Sequence, residues 1–243
     1  MNEKRRAFTL LELIVSIGVI ALLVSLLAAP IGRVRESARD TVRQSQLRAH
    51  ARAMTLYCTD SRDVFPYFFQ PEATYNIVKI GSRTGRARFF DSYWAWNLLI
   101  GPASYEGGSL DNTFRPPGRR PPLISEWYFY SATLVSRPEF WRPETRIGPS
   151  QWLAVKFSEV RFPSAKALVT NHGDVFDPGG ARVLMLAMAD GSTYVARPDM
   201  LGRDFIPPHP TGEGMFDQSA IGAPGLVGMH TVEGVYGRDV NAR

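Results

Sequence analysis

The feature that constrains this chain most is an apolar run near its start, residues 7–32, with the sequence AFTLLELIVSIGVIALLVSLLAAPIG. Its one charged residue is Glu12, and no charged residue stands between Leu13 and Gly32. A helix needs about 20 such residues to cross the hydrocarbon core of a bilayer. A carboxylate placed there costs roughly 2.5–3.5 kcal/mol and usually has a partner. The run therefore predicts a membrane-spanning helix with one functional acid, which carries the rest of the chain as a soluble portion.

The first residues of this run stand in a distinctive order. Residues 7–12 read A-F-T-L-L-E and follow the short basic leader MNEKRRA. This order resembles the leader of type IV prepilins, a family that includes type IV pilins and the pseudopilins of type II secretion. The resemblance implies that a prepilin peptidase cleaves between Ala7 and Phe8, and that the new Phe8 terminus is N-methylated. The family usually has glycine at the position of Ala7.

The resemblance gives Glu12 an assembly role, because Glu12 becomes the fifth residue of the cleaved chain. Cleavage leaves an α-ammonium on Phe8, and methylation keeps its charge. Two unpaired ions are expensive in low-dielectric surroundings, so the Glu12 of one subunit is expected to pair with the Phe8 ammonium of a neighbour. We hypothesise that this pair sets the register in which subunits stack. The alternative is a plain membrane anchor whose Glu12 reaches the interface.

A secretory signal is the main rival interpretation of the N-terminus. The small residues Ala28 and Ala29 could form a signal-peptidase cleavage site. However, Pro30 would follow that site, and Glu12 would lie inside the apolar core of the signal. Basic residues flank the apolar run on both sides, so charge counting alone leaves the orientation open. The prepilin resemblance implies a single-pass protein in the bacterial inner membrane, with its leader in the cytoplasm and its carboxyl-terminal head in the periplasm.

The sequence divides into four predicted segments. Residues 1–7 are the leader, residues 8–32 a transmembrane or filament-core helix, residues 33–60 an amphipathic helix of the head, and residues 61–243 a loop-rich β-sheet head. Together they predict an α+β, pilin-like fold, in which a long N-terminal helix packs on an antiparallel sheet.

The amphipathic helix is predicted from the spacing of its apolar residues. The predicted buried face consists of Val34, Ala38, Val42, Ala49, Ala53 and Leu56. Turn-forming residues at Asp60 and Asp63, followed by Pro66, predict the end of the helix. The pattern Y-x-x-D-x-x-D-x-F-P over residues 57–66 resembles pseudopilin-like proteins from bacteria with many prepilin-type paralogues.

The head is predicted to contain five strands, because short β-branched or aromatic runs alternate with turn signals. These runs are EWYFYSATLV (126–135), WLAVKFSEV (152–160), KALVTNHG (166–173), ARVLMLAMADG (181–191) and STYVARP (192–198). The strongest hairpin signal joins the last two, with the turn at Asp190-Gly191. Residues 87–101 predict a short helix or buried loop, and the proline-rich residues 114–122 predict an exposed loop.

Few residues have a spacing typical of chemistry. The four histidines are scattered, and the sequence has no HExxH, CxxC or GxSxG motif. Asp174 and Asp177, in the loop NHGDVFDPGG, are candidate calcium ligands, although their spacing is not that of an EF-hand and turn formation explains them equally well. No other cofactor is expected. The single cysteine, Cys58, excludes an internal disulfide.

Three functions are consistent with these features. The first is a non-enzymatic structural subunit of a type IV pilus-like or type II secretion pseudopilus filament, whose partners are the prepilin peptidase, other pilin or pseudopilin subunits and the inner membrane. The second is a membrane-anchored minor, capping or adhesin-type binding subunit. The third is a tethered periplasmic enzyme, for which the sequence contains none of the catalytic motifs named above. The formal charge of +5 includes the basic leader and does not predict nucleic-acid binding.

Overall fold

A computed structural model describes residues 9–68, 75–80, 83–118, 127–142, 144–171, 184–196 and 233–240. The chain forms two compact units, residues 1–41 and residues 42–243, and the second is called the head below. One long helix begins in the first unit and ends in the head. The helices and strands are α1 (Leu10–Asp60), β1 (Asn76–Ile80), β2 (Arg83–Ala87), α2 (Ser92–Ala95), α3 (Asn97–Ser104), β3 (Tyr128–Tyr130), α4 (Pro138–Trp141), β4 (Ala167–Asn171), β5 (Leu184–Met188) and β6 (Thr193–Ala196).

Helix α1 runs through Pro30 as one element and stops at the predicted turn. Arg62 and Asp63 follow it with positive φ angles of 56° and 69°, the left-handed conformation that commonly ends a helix. The Asp63 amide donates to the Cys58 carbonyl at 2.7 Å, which satisfies a carbonyl of the last turn. Short 3-10 turns and loops connect the later elements.

The predicted apolar face of α1 is largely wrong. Val34, Val42 and Leu56 are exposed, whereas Leu47, Met54 and Cys58 are buried. The buried face repeats at helical spacing but also includes the polar side chains of Arg43 and His50. The spacing of valine and alanine does not identify this face, because the interior of the head also accommodates Arg43 and His50.

The main sheet is antiparallel, with the strand order β3-β4-β5-β6. The β5–β6 hairpin confirms the prediction at Asp190-Gly191. Met188 donates its amide to the Ser192 carbonyl at 2.8 Å, and Gly191 has a φ of 82°, which glycine adopts without strain. The α+β fold class is therefore confirmed, with a long N-terminal helix and antiparallel sheets.

The strand predicted over residues 152–160 is wrong. Phe157–Glu159 form a 3-10 turn, and the Glu159 carboxylate accepts the Lys156 amide at 2.7 Å. The backbone of this segment instead joins separate parts of the head: the Phe65 amide donates to the Val155 carbonyl at 3.1 Å, and the Val155 amide to the Leu134 carbonyl at 3.1 Å. The segment thus fastens the chain that follows α1 to the rest of the head.

Aromatic side chains form much of the head core. Trp96 is fully buried, and its indole nitrogen donates to the Tyr128 carbonyl at 2.7 Å. Phe114 and Pro116 are buried too, so the loop predicted as exposed over residues 114–122 is internal where it begins. The ring of Phe114 stacks on His50 with centroids 5.0 Å apart, and this contact holds the loop inward.

A buried ion pair holds the segment 233–240 against β4. The Lys166 ammonium lies 3.2 Å from the Asp239 carboxylate and donates to the Gly234 carbonyl at 2.8 Å. Asp239 also accepts the Ala167 amide at 2.8 Å. Burial lowers the pKa of Lys166, and the neighbouring Asp239 charge opposes that shift. This pair compensates charges that would otherwise be costly to bury.

Candidate functional site

The N-terminus of α1 is organised by Thr9 and Glu12. The Thr9 amide and hydroxyl both donate to Oε2 of Glu12, each at 2.9 Å. The Glu12 amide in turn donates to the Thr9 hydroxyl at 3.3 Å. This reciprocal arrangement is a capping box, in which two side chains satisfy amides that the first helical turn leaves without partners. Glu12 therefore starts its own helix, besides any role between subunits.

The apolar surface of α1 is uncovered from this cap onward. Every side chain that the structure describes between residues 10 and 39 is exposed, including large ones such as Leu13 and Leu22. Ser16 and Ser25 direct their hydroxyls to carbonyls of the same helix, those of Glu12 at 2.7 Å and Leu22 at 2.8 Å. Both hydroxyls are thus satisfied within the helix, as a bilayer requires of polar groups, while the apolar side chains around them are exposed.

Among the described residues, α1 is the one helix long and apolar enough to cross a membrane, by length and composition. An apolar helix at this position in the chain fits membrane anchoring. Residues 10–41 are called the uncovered half of α1 below, and residues 42–60 the packed half.

The other predicted site residues are distributed as follows. Ala7 and Phe8 of the cleavage site and the calcium candidates Asp174 and Asp177 lie outside the described residues. Within the part of the chain that is described, no three His, Cys, Asp or Glu side chains cluster as a metal site would need. Asp190 accepts the amide and hydroxyl of Ser192 at 2.9 and 2.6 Å, so its carboxylate shapes the β5–β6 turn.

His50 is the most enclosed titratable group of the packed half. Its Nδ1 lies 2.7 Å from the Tyr105 hydroxyl, and its ring contacts those of Trp96, Phe114 and Tyr128. Burial lowers the pKa of His50 to about 3, so its imidazole is neutral at physiological pH. Burial likewise raises the pKa of the Cys58 thiol to about 12, an effect to which the Asp63 charge adds. Both groups are core components, and a reactive thiolate at Cys58 is disfavoured.

An open cleft of about 350 Å³ lies between α4 and the segment 153–159. Charged side chains from Arg137, Glu139, Lys156 and Glu159 line it, together with Leu153 and Tyr236. The residues that line it include no serine, cysteine or histidine, so they form no Ser–His or Cys–His pair.

Sequence reasoning missed Thr9 as a functional side chain. The signal was present, since Thr9-x-x-Glu12 directly before an apolar run is the capping-box pattern. Both interpretations of Glu12 given above, an intersubunit partner and a residue that reaches the interface, leave its bond to Thr9 out.

Residues 3–28 match the prokaryotic N-terminal methylation motif, which is the signature of type IV prepilin-like and pseudopilin proteins. This match confirms the resemblance inferred from residues 7–12. It indicates a structural, pilin-like protein, a class that is typically not enzymatic. No curated protein and no solved structure matches the chain.

Proposed function

We propose that this protein is a non-enzymatic structural subunit of a type IV pilus-like or type II secretion pseudopilus filament, made as a membrane-anchored precursor. The single observation that carries the proposal is the methylation motif over residues 3–28, of which residues 10–28 belong to a helix whose described side chains are exposed there. Such a surface needs lipid before assembly and other subunits after it.

In this proposal, a prepilin peptidase cuts between Ala7 and Phe8 on the cytoplasmic face, and the Phe8 amine is then methylated. The head lies in the periplasm until the subunit enters a filament there or at the cell surface. The apolar helices of neighbouring subunits then replace the lipid around one another.

Glu12 guides that exchange by pairing with the Phe8 ammonium of a neighbour. Both hydrogen bonds from Thr9 reach Oε2 of Glu12, and neither uses Oε1. A carboxylate accepts several hydrogen bonds, so one group can cap its own helix and bind a cation at the same time. The capping box also fixes the rotamer of Glu12, which lowers the entropic cost of forming the pair.

The direct test is mass spectrometry of the protein extracted from membranes of the producing cell. The expected N-terminal peptide begins at Phe8 and carries one methyl group on its amine. An intact Met1, or a terminus after Ala29, would contradict processing as a prepilin. A Glu12→Leu variant should be cleaved like the wild type but should fail to enter filaments, and normal incorporation would refute the pairing role.

The same preparations distinguish a major subunit from a minor, capping or adhesin-type one. A major subunit should dominate the purified filament, whereas a capping subunit should be present at a small molar fraction. The calcium site at Asp174 and Asp177 stays a prediction. It is tested by comparing calcium titrations of the wild type and an Asp174→Asn/Asp177→Asn variant.

A further inference from the structure

The β1–β2 hairpin presents one covered face and one exposed face. Side chains alternate between the two sides of a strand, and the register pairs Ile77 with Arg86 and Lys79 with Thr84. All four of these side chains are exposed. On the opposite side, Ala87 is buried and forms a small core with neighbouring elements. That core also contains Phe68, Val78, Ala95, Leu98 and Leu99.

The exposed side of this hairpin, called the hairpin face below, consists of Tyr75, Ile77, Lys79, Thr84 and Arg86. Residues 75–88 contain four basic residues and no acidic one. Ile77, at the centre of the hairpin face, is 73% exposed and lies beside the exposed ring of Tyr75 and the two cations of this face. The Arg86 guanidinium lies 4.3 Å from the centroid of the Tyr75 ring, so an aromatic side chain orients this cation.

An open groove of about 650 Å³ runs between β1 and α3 beside this face. Its lining is mostly apolar, with Phe68, Val78, Leu98 and Leu99, and it also includes Ile77 and Lys79 from the hairpin face. A surface that combines cations, an amphipathic aromatic ring and exposed aliphatic groups matches the boundary between lipid headgroups and acyl chains.

We propose that the hairpin face binds an anionic lipid surface, with Lys79 and Arg86 on the headgroup phosphates and Ile77 among the first acyl carbons. A soluble polyanion would satisfy the two cations but would leave Ile77 and the apolar groove in water. The inference rests on the proposed anchoring of α1, because a tether keeps the head near lipid and raises its effective concentration there. Each basic residue near an anionic leaflet contributes about 1 kcal/mol, a factor of about 5.4 in the bound-to-free ratio, so two should give about thirtyfold.

The test uses the full chain reconstituted into vesicles of phosphatidylcholine alone, or of phosphatidylcholine with an equal amount of phosphatidylglycerol. A spin label is placed at Ile77→Cys, in a Cys58→Ala background that removes the native thiol. Its collisions with oxygen and with a water-soluble nickel complex report its depth in the bilayer. The matched control is a label at Ile147→Cys, because Ile147 is 82% exposed elsewhere on the head.

In vesicles with phosphatidylglycerol, we expect the label at position 77 to gain collisions with oxygen and lose collisions with nickel, while the label at position 147 stays aqueous. A Lys79→Gln/Arg86→Gln variant should lose about thirtyfold in the bound-to-free ratio. Both side chains are exposed, so the head should keep its fold. Equal accessibility in the two lipids would overturn the proposal, as would protection that disappears when labelled chains are diluted with unlabelled ones, which would indicate a second copy.

Insertion of α1 is scored separately by alkaline extraction of the vesicles. A chain that resists extraction but exposes position 77 contradicts the hairpin proposal and leaves the anchoring intact. A chain that is extracted, yet protects position 77 on anionic vesicles, contradicts the anchoring and supports the hairpin proposal.

Discussion

The two halves of α1 form one continuous helix, yet they differ in what surrounds them. Leu22 in the uncovered half is 61% exposed, whereas Leu47 in the packed half is fully buried. Gln46 of the packed half donates to the Arg115 carbonyl at 2.8 Å and accepts the Tyr128 hydroxyl at 2.6 Å. The packed half is therefore part of the head core, while the side chains described in the uncovered half are almost all exposed. A single helix thus contains one half that is packed in a domain core and one half whose apolar side chains are exposed.

The largest predicted effect tests this difference with the same substitution in both halves. Leu47→Ala should lower the free energy of unfolding of the head by about 2–5 kcal/mol, because it opens a cavity in a packed core. Leu22→Ala should change it by about 0.5 kcal/mol or less, because Leu22 is exposed and its truncation opens no cavity. Urea unfolding of the full chain in detergent micelles measures both. Tryptophan fluorescence reports on the head, because all five tryptophans lie between residues 94 and 152.

If the two leucine variants lowered the free energy of unfolding equally, the proposed difference between the halves would be wrong, because the uncovered half would also stabilise the head. Leu23→Ala offers a second control in the uncovered half, because Leu23 is exposed as well. It should behave like Leu22→Ala.

The next prediction concerns the pH dependence of the stability of the head, which we expect to arise in the packed half of α1. The pKa of His50 is about 3 in the folded head and about 6.5 in an unfolded chain, because burial disfavours the imidazolium. Below pH 6.5 the unfolded state binds a proton that the folded state does not bind. The stabilising contribution of neutral His50 is therefore complete above pH 6.5 and is lost as the pH falls towards 3, at about 1.4 kcal/mol per pH unit.

Between pH 6.5 and 5, the head should accordingly lose about 2 kcal/mol of stability through His50. A His50→Phe variant keeps an aromatic ring at this site and should lack that part of the pH dependence, whatever its stability at pH 7. The free energy of unfolding of both proteins is measured by urea titration at several pH values. The quantity compared is its slope against pH. The helical circular dichroism of the uncovered half in micelles should be unchanged over this range. Parallel slopes for the two proteins would contradict the assignment of a buried, neutral His50.

Local turn signals predicted part of the head well. Asp190-Gly191 between two apolar runs identified the β5–β6 hairpin, because this dipeptide favours the positive φ that the turn uses. The β1–β2 hairpin was missed although Gly81-Ser82 separates its strands, because β2 carries Arg83, Gly85 and Arg86 and lacks an apolar alternation. On its covered side, Ala87 and Val78 instead pack in a small core with residues from other elements of the head.

The buried face of α1 could not be predicted from the sequence for a similar reason. Arg43 and His50 look solvent-facing in a helix, and only the tertiary structure supplies the partner of His50, the Tyr105 hydroxyl from 55 residues away. The N-terminal motif was more predictable, because the order of residues that defines it is local in sequence. Residues 7–12 sufficed to identify the methylation motif, and the same six residues contain the capping box.

The smallest predicted effect separates the two roles of Glu12, one within the uncovered half and one between subunits. Thr9→Val removes the hydroxyl of the capping box and keeps the Glu12 charge, so it should weaken the first turn of α1 by about 1 kcal/mol. Hydrogen exchange of the amides of residues 12 and 13 in micelles should quicken accordingly, while entry into filaments continues. Glu12→Gln keeps an acceptor for the Thr9 amide but removes the charge, so it should leave that exchange nearly unchanged and abolish entry into filaments. If Thr9→Val alone blocked assembly while Glu12→Gln did not, the cap would be the functional element and Glu12 would serve only its own helix. The two variants therefore decide whether the uncovered half carries an intersubunit signal or only a well-started helix.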